Sequence, residues 1–124
     1  MAGDILFNKI AFVGIGLIGS SLARVIRRDG LAGSIVACAR TEQTRQVALD
    51  LDLADSATGD VAEAVRDADL IVLCTPIGAY GAIAQQMSGS LKPGAIVTDV
   101  GSVKRSVIEA VTPHLPNGVH FVPS

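Results

Sequence analysis

Gly14, Gly16 and Gly19 stand in one run, Gly14-Ile15-Gly16-Leu17-Ile18-Gly19, a G-x-G-x-x-G pattern. An apolar segment, Lys9 to Val13, precedes it, and a helical period follows from Leu17. In that setting each glycine has a separate use. Gly14 permits a tight turn, Gly16 lets the backbone approach a pyrophosphate, and Gly19 lets a helix lie close against a strand. The free N–H groups and positive end of the helix favour an anion there. The chemistry this predicts is dinucleotide binding, with Gly14, Gly16, Leu17, Ile18 and Gly19 around the pyrophosphate. The alternative is a turn that uses glycines only for its own geometry.

Selectivity for the ribose would be set about 20 residues on, where NAD sites place an acid. No acid stands at positions 36–41, and the segment reads Ala37-Cys38-Ala39-Arg40-Thr41. Arg40 stands where a guanidinium would meet a 2′-phosphate, with Thr41, Thr44 and Arg45 as helpers. The same arginine could stack on adenine or be a solvated strand end. The pattern favours NADP over NAD as cofactor. Glu42 reads as first-turn charge of the next helix.

Two later loops reach the same end of such a fold. Cys74-Thr75-Pro76-Ile77-Gly78 offers Thr75 to a ribose or a nicotinamide amide, or to a helix-capping turn, while Pro76 stiffens the loop. Thr98-Asp99-Val100-Gly101-Ser102-Val103-Lys104 offers Ser102 as a helix N-cap or as a hydroxyl partner beside the nicotinamide. Asp99 would anchor the loop or border the ribose, and Lys104 is an anion contact or surface charge. His114 reads as a helix-end residue, and His120 as a structural or edge histidine rather than a base.

The elements that must position these residues alternate. Apolar runs at Lys9–Val13, Ser34–Ala39, Ala54–Ala57, Leu70–Cys74, Ala95–Asp99 and Val119–Val122 read as strands. Between them lie helices: from Leu17 to Arg28, stopped by Gly30; from Thr41 to Leu51; from a capping box at Asp60 and Glu63 to Arg66; from Ala79 to Ser88; and one marked by Val103, Val107, Ile108 and Val111. Alternation predicts an α/β fold, a Rossmann-type doubly wound parallel sheet of six strands in the order 3-2-1-4-5-6.

Composition agrees with one such domain over residues 1–124. The hydrophobic fraction is 49% and the aromatic fraction only 3%, which suits aliphatic strands buried on both faces. The net charge of −2 argues against the clustered positive surface of a nucleic-acid or polybasic membrane protein. Leu70 to Leu91 carries no charge, but its glycines, glutamines and Pro76 break it into strand, turn and helix rather than a membrane span. Cys38 and Cys74 form no metal or redox motif and read as core residues too far apart for a disulfide. No signal peptide precedes the first strand, so a cytoplasmic location is expected.

Taken together, Gly14–Leu22, Leu73-Cys74-Thr75-Pro76, Thr98–Lys104 and His120-Phe121-Val122-Pro123-Ser124 resemble the nucleotide-binding half of prephenate/arogenate (cyclohexadienyl) dehydrogenases of tyrosine biosynthesis. The resemblance runs from about Asn8 to Ser124, and Asp99–Lys104 is its most specific part. It implies oxidation of prephenate or arogenate with loss of carbon dioxide and hydride transfer to NAD(P)+. It implies Ser102 as the catalytic contact to the substrate hydroxyl. Thr75, Pro76 and Asp99 would lie at the nicotinamide ribose, and Arg40 and Thr41 at the adenosine end. The family's general-base histidine would follow directly after Ser124, and a helical second domain would supply substrate binding and a homodimer interface. The chain is therefore expected to bind cofactor, to lack the catalytic histidine, and not to turn over substrate alone. Two other readings stand beside this one: another NAD(P)-dependent dehydrogenase or reductase, and a nucleotide-sensing regulatory module. The sensor would need the glycine turn but neither Thr75-Pro76 nor Ser102.

Overall fold

A computed structural model of the chain describes residues 6–75, 79–99, 114–116 and 118–122. Its elements are β1 (Phe7–Val13), α1 (Gly16–Asp29), β2 (Ala32–Cys38), α2 (Glu42–Asp50), β3 (Ser56–Thr58), α3 (Val61–Val65), β4 (Leu70–Leu73), α4 (Tyr80–Met87), β5 (Ile96–Asp99) and β6 (His120–Val122). The strands β3-β2-β1-β4-β5 lie side by side in that order, all parallel. This is the Rossmann-type arrangement expected from the alternation. The short β6 pairs in parallel with β5, and the Thr98 hydroxyl donates to the Val122 carbonyl at 2.6 Å. The expected helix over 103–111 lies outside the described residues.

The aliphatic composition follows from a sheet covered on both sides. Along β1, Ile10 and Phe12 join Ala23 and Ile26 of α1 and Ala48 of α2 in one buried layer. Ala11 and Val13 join Val61, Ala64 and Val65 of α3 with Ile83, Ala84 and Met87 of α4 in the other. Successive side chains of a strand point to opposite faces, so a central strand must be apolar at every position. Each fully buried Ile, Leu or Phe stabilises the fold by about 1.5–3 kcal/mol relative to exposure.

The helix ends are set locally. Gly30 takes the left-handed conformation at φ 64°, and its N–H returns to Arg27 O at 3.2 Å, ending α1 after Arg27 and Arg28. Thr41 caps α2 by accepting from Thr44 N at 3.2 Å. Asp60 caps α3 by accepting from Ala62 N at 3.0 Å. The capping box expected there is not reciprocal. Thr58 Oγ1 stands between its two halves, accepting from Asp60 N at 3.1 Å and donating to Glu63 at 3.3 Å.

The third strand also differs from expectation. Leu53 and Ala54 are buried, but Leu53 N bonds back to Ala48 O; the first bond to β2 is Asp55 N to Ile35 O, and the ladder pairs residues from Ser56. At the amino ends of β1, β4 and β5, the Asp69 carboxylate accepts from Asn8 N, Lys9 N and the Lys92 ammonium. The uncharged stretch from Leu70 divides into β4 and α4, and among the described residues no helix is long and apolar enough to cross a membrane. Cys38 and Cys74 are both free thiols, one ending β2 and the other following β4, with β1 between them.

Candidate functional site

The carboxyl ends of β1, β2 and β4 meet at one edge of the sheet, where β1 leads into the glycine turn. Gly14 N donates to Cys38 O at 2.6 Å, which pins the turn to β2. Gly14 has φ +78°, and a Cβ there would lie 2.7 Å from Thr75 Cγ2 and 3.2 Å from the Cys74 carbonyl carbon. Both the backbone conformation and the space therefore demand glycine. Gly16, Leu17 and Ile18 open α1, whose N-cap residue Ile15 supplies no side-chain acceptor. A Cβ on Gly19 would come within 2.9 Å of Cys74 Sγ, so this glycine sets how closely α1 lies against the end of β4.

Beyond β2 the candidate adenosine residues separate by role. Arg40 is exposed and makes no hydrogen bond or ion pair among the described residues. Thr41 is committed to the α2 cap, and its hydroxyl also donates to Thr44 Oγ1 at 2.8 Å. Arg45 donates to Ala39 O at 2.7 Å and lies over Gly59, where a Cβ would meet its Nη1 at 2.9 Å. Of the four side chains expected at the adenosine end, only Arg40 keeps its polar atoms uncommitted to the fold.

Thr75 follows β4, and its Oγ1 is a buried polar atom with no hydrogen-bond partner among the described residues. Such an atom is destabilising in a protein unless something outside the fold satisfies it. Asp99, which ends β5 opposite Leu73 of β4, is fully buried and engaged in a polar interaction. Burial pushes the Cys74 thiol up to about 12 and raises that of Cys38, with Asp60 adding to the effect and Arg45 opposing it. Neither thiol is a nucleophile near neutral pH.

A cleft of about 520 Å³ joins these features, with Gly14, Arg40 and Thr75 in its walls. Its size is that of a small-molecule site. Gly19, Thr41 and Asp99 do not line it, and Pro76, Ser102 and Lys104 lie outside the described residues. Of its lining residues only Gly14, Arg40 and Thr75 are site residues expected from the sequence; the others, among them Gly59, Val61 and Gln86, are not. A signal for the last was present: Ala79, Ala82, Ile83 and Gln86 recur at i, i+3, i+4 and i+7, which puts them on one face of α4. His120 is exposed on β6 and is not part of the cleft. A shallow hollow on α2, lined by Glu42, Gln43, Gln46, Val47 and Asp50, shares no residue with this site. Among the described residues no cluster of His, Cys, Asp and Glu could hold a metal ion.

The sequence matches the family of the prephenate dehydrogenase nucleotide-binding domain over residues 22–124. It is 42% identical over 119 residues to a cyclohexadienyl dehydrogenase of Zymomonas mobilis, covering 96% of this chain and 40% of that protein. The fold is similar to that of prephenate dehydrogenase from A. aeolicus in complex with hydroxyphenyl propionate and NAD+. That similarity has a TM-score of 0.82 and 28% identity, over 94% of this chain and 40% of the other. It is also similar to Synechocystis arogenate dehydrogenase, with a TM-score of 0.78 and 38% identity, over 86% of this chain and 37% of the other. The chain thus spans about 40% of the length of these relatives.

Proposed function

The chain belongs to the prephenate dehydrogenase family by its nucleotide-binding domain, and from that premise we propose that it is the NAD(P)-binding part of a prephenate or arogenate dehydrogenase. The buried, unpartnered Thr75 hydroxyl in the wall of the glycine-turn cleft carries the reading, because a bound ligand would satisfy it. The residues fit a dinucleotide. Gly14 leaves the turn bare where a Cβ would fill it, α1 opens without a side-chain cap, and Arg40 is uncommitted.

In this reading Gly14, Gly16, Leu17, Ile18 and Gly19 hold the pyrophosphate on backbone N–H groups. Thr75, Pro76 and Asp99 border the nicotinamide ribose, with Asp99 acting from its buried position as an anchor for the loop. Arg40 meets the 2′-phosphate, which favours NADP over NAD, while Thr41 shapes the adenosine end as the cap of α2. Bound NAD(P)+ would supply the hydride acceptor for oxidative decarboxylation of prephenate or arogenate. Ser102 would bond the substrate hydroxyl. The general base and the rest of the substrate site would come from a second, helical domain, which also forms a homodimer. The short pairing of β6 with β5 supports a complete six-stranded sheet in the order 3-2-1-4-5-6. The enzyme would act in the cytoplasm on a small molecule, with neither nucleic acid nor membrane as partner.

Turnover of prephenate or arogenate by the complete enzyme, with and without Ser102→Ala, tests this function. Loss of turnover with cofactor binding retained supports it. Unchanged turnover removes Ser102 from the site.

A further inference from the structure

The far wall of the cleft carries an inference that rests on the dinucleotide reading and deepens it. Besides Gly14 and Thr75, the cleft is lined by the buried Val61 and Ile83 and by the exposed Arg40 and Gln86. Apolar walls with a few free polar groups suit a flat heteroaromatic ring. The Gln86 side chain makes no hydrogen bond among the described residues, so its amide is available to a ligand. A glutamine amide presents an acceptor beside a donor, and adenine presents a donor at N6 beside an acceptor at N7. We propose that Gln86 is a specificity-determining residue that reads the N6/N7 edge of the adenine of the bound dinucleotide. Among the side chains that line the cleft no other carries an amide, and Arg40 has donors only.

The test is a calorimetric titration with NAD+ and with nicotinamide hypoxanthine dinucleotide, in which O6 replaces the N6 amine. Hypoxanthine presents two acceptors at O6 and N7, so the Gln86 carbonyl meets no donor. The unaltered chain should bind the adenine form about three- to tenfold more tightly, the weight of one ordinary neutral hydrogen bond. Gln86→Leu should bring the two affinities together. Leucine keeps helix propensity at this exposed position of α4, so the fold should hold. Gln85→Leu, on the same helix but outside the cleft, should keep the discrimination. Binding of NAD+ without discrimination, or discrimination that survives Gln86→Leu, overturns the role of Gln86 and leaves the dinucleotide site standing. Equal loss in Gln85→Leu also overturns it, as an effect of the helix. Failure to bind either dinucleotide overturns the underlying reading and this inference with it.

Discussion

Replacing Thr75 with valine separates a ligand-binding hydroxyl from a structural one. The substitution keeps both branches at Cβ and removes only the hydroxyl. Among the described residues Oγ1 is buried and unpartnered, a state that destabilises a fold by about 1–3 kcal/mol. Thr75→Val removes that penalty, so the free protein should gain about 1–3 kcal/mol, or roughly 3–10 °C in Tm. If the cofactor normally satisfies the hydroxyl, binding relieves the same penalty. Affinity for NAD(P)+ should then fall by a similar free energy, about five- to 150-fold. The two shifts have opposite sign and a common cause. Urea unfolding of the free chain gives the first, and calorimetric titration gives the second. Thr75→Ser, which keeps the hydroxyl, should retain most of the affinity. A Thr75→Val protein that is less stable and binds as before would mean that the hydroxyl already has a partner within the fold and is no ligand contact.

Other perturbations follow from the same geometry. Gly14→Ala forces a left-handed residue against the start of the loop after β4, and should lower stability by about 2–4 kcal/mol in urea unfolding. Asp69 is held below the usual carboxylate range, first by its hydrogen bond to Lys92 and then by Lys9 N and Asn8 N, against an opposing effect of burial. Its contribution is present above the unfolded pKa of about 3.9 and is lost as pH falls through the folded value. Asp69→Asn should therefore lower the urea midpoint at pH 7, and the difference from the unaltered protein should shrink below about pH 4. The thiols of Cys38 and Cys74, both raised by burial, should resist a disulfide reagent at pH 8 until urea unfolds the chain.

The element order and the glycine turn were legible because each has a local signature. Period 2 or continuous apolar runs mark strands, Gly30 marks a helix stop, and the spacing of Gly14, Gly16 and Gly19 marks the turn. Where expectation and structure part, hydrogen bonding decides what hydrophobicity cannot. Leu53 and Ala54 are apolar because they are buried, yet their segment turns back on α2 before the ladder with β2 begins. The Asp60–Glu63 spacing promised a capping box, and Thr58, outside the motif, took the place between them. Arg45 was grouped with Arg40 by sequence, but its reach to Ala39 O commits it to the loop. The far wall of the cleft was hidden for a different reason. Gly59 and Val61, from the β3–α3 segment, and Gln86, from α4, are distant in sequence and meet Arg40 only through the crossover geometry of the sheet.

Calorimetric titration of the chain with NADP+ and, separately, NAD+ tests most directly the claim that this cleft is a dinucleotide site. Both should bind, NADP+ the more tightly, with Arg40→Ala weakening NADP+ about tenfold or more and NAD+ much less. Equal or tighter NAD+ binding would keep the site and remove the phosphate role of Arg40. Binding of neither dinucleotide would contradict the account.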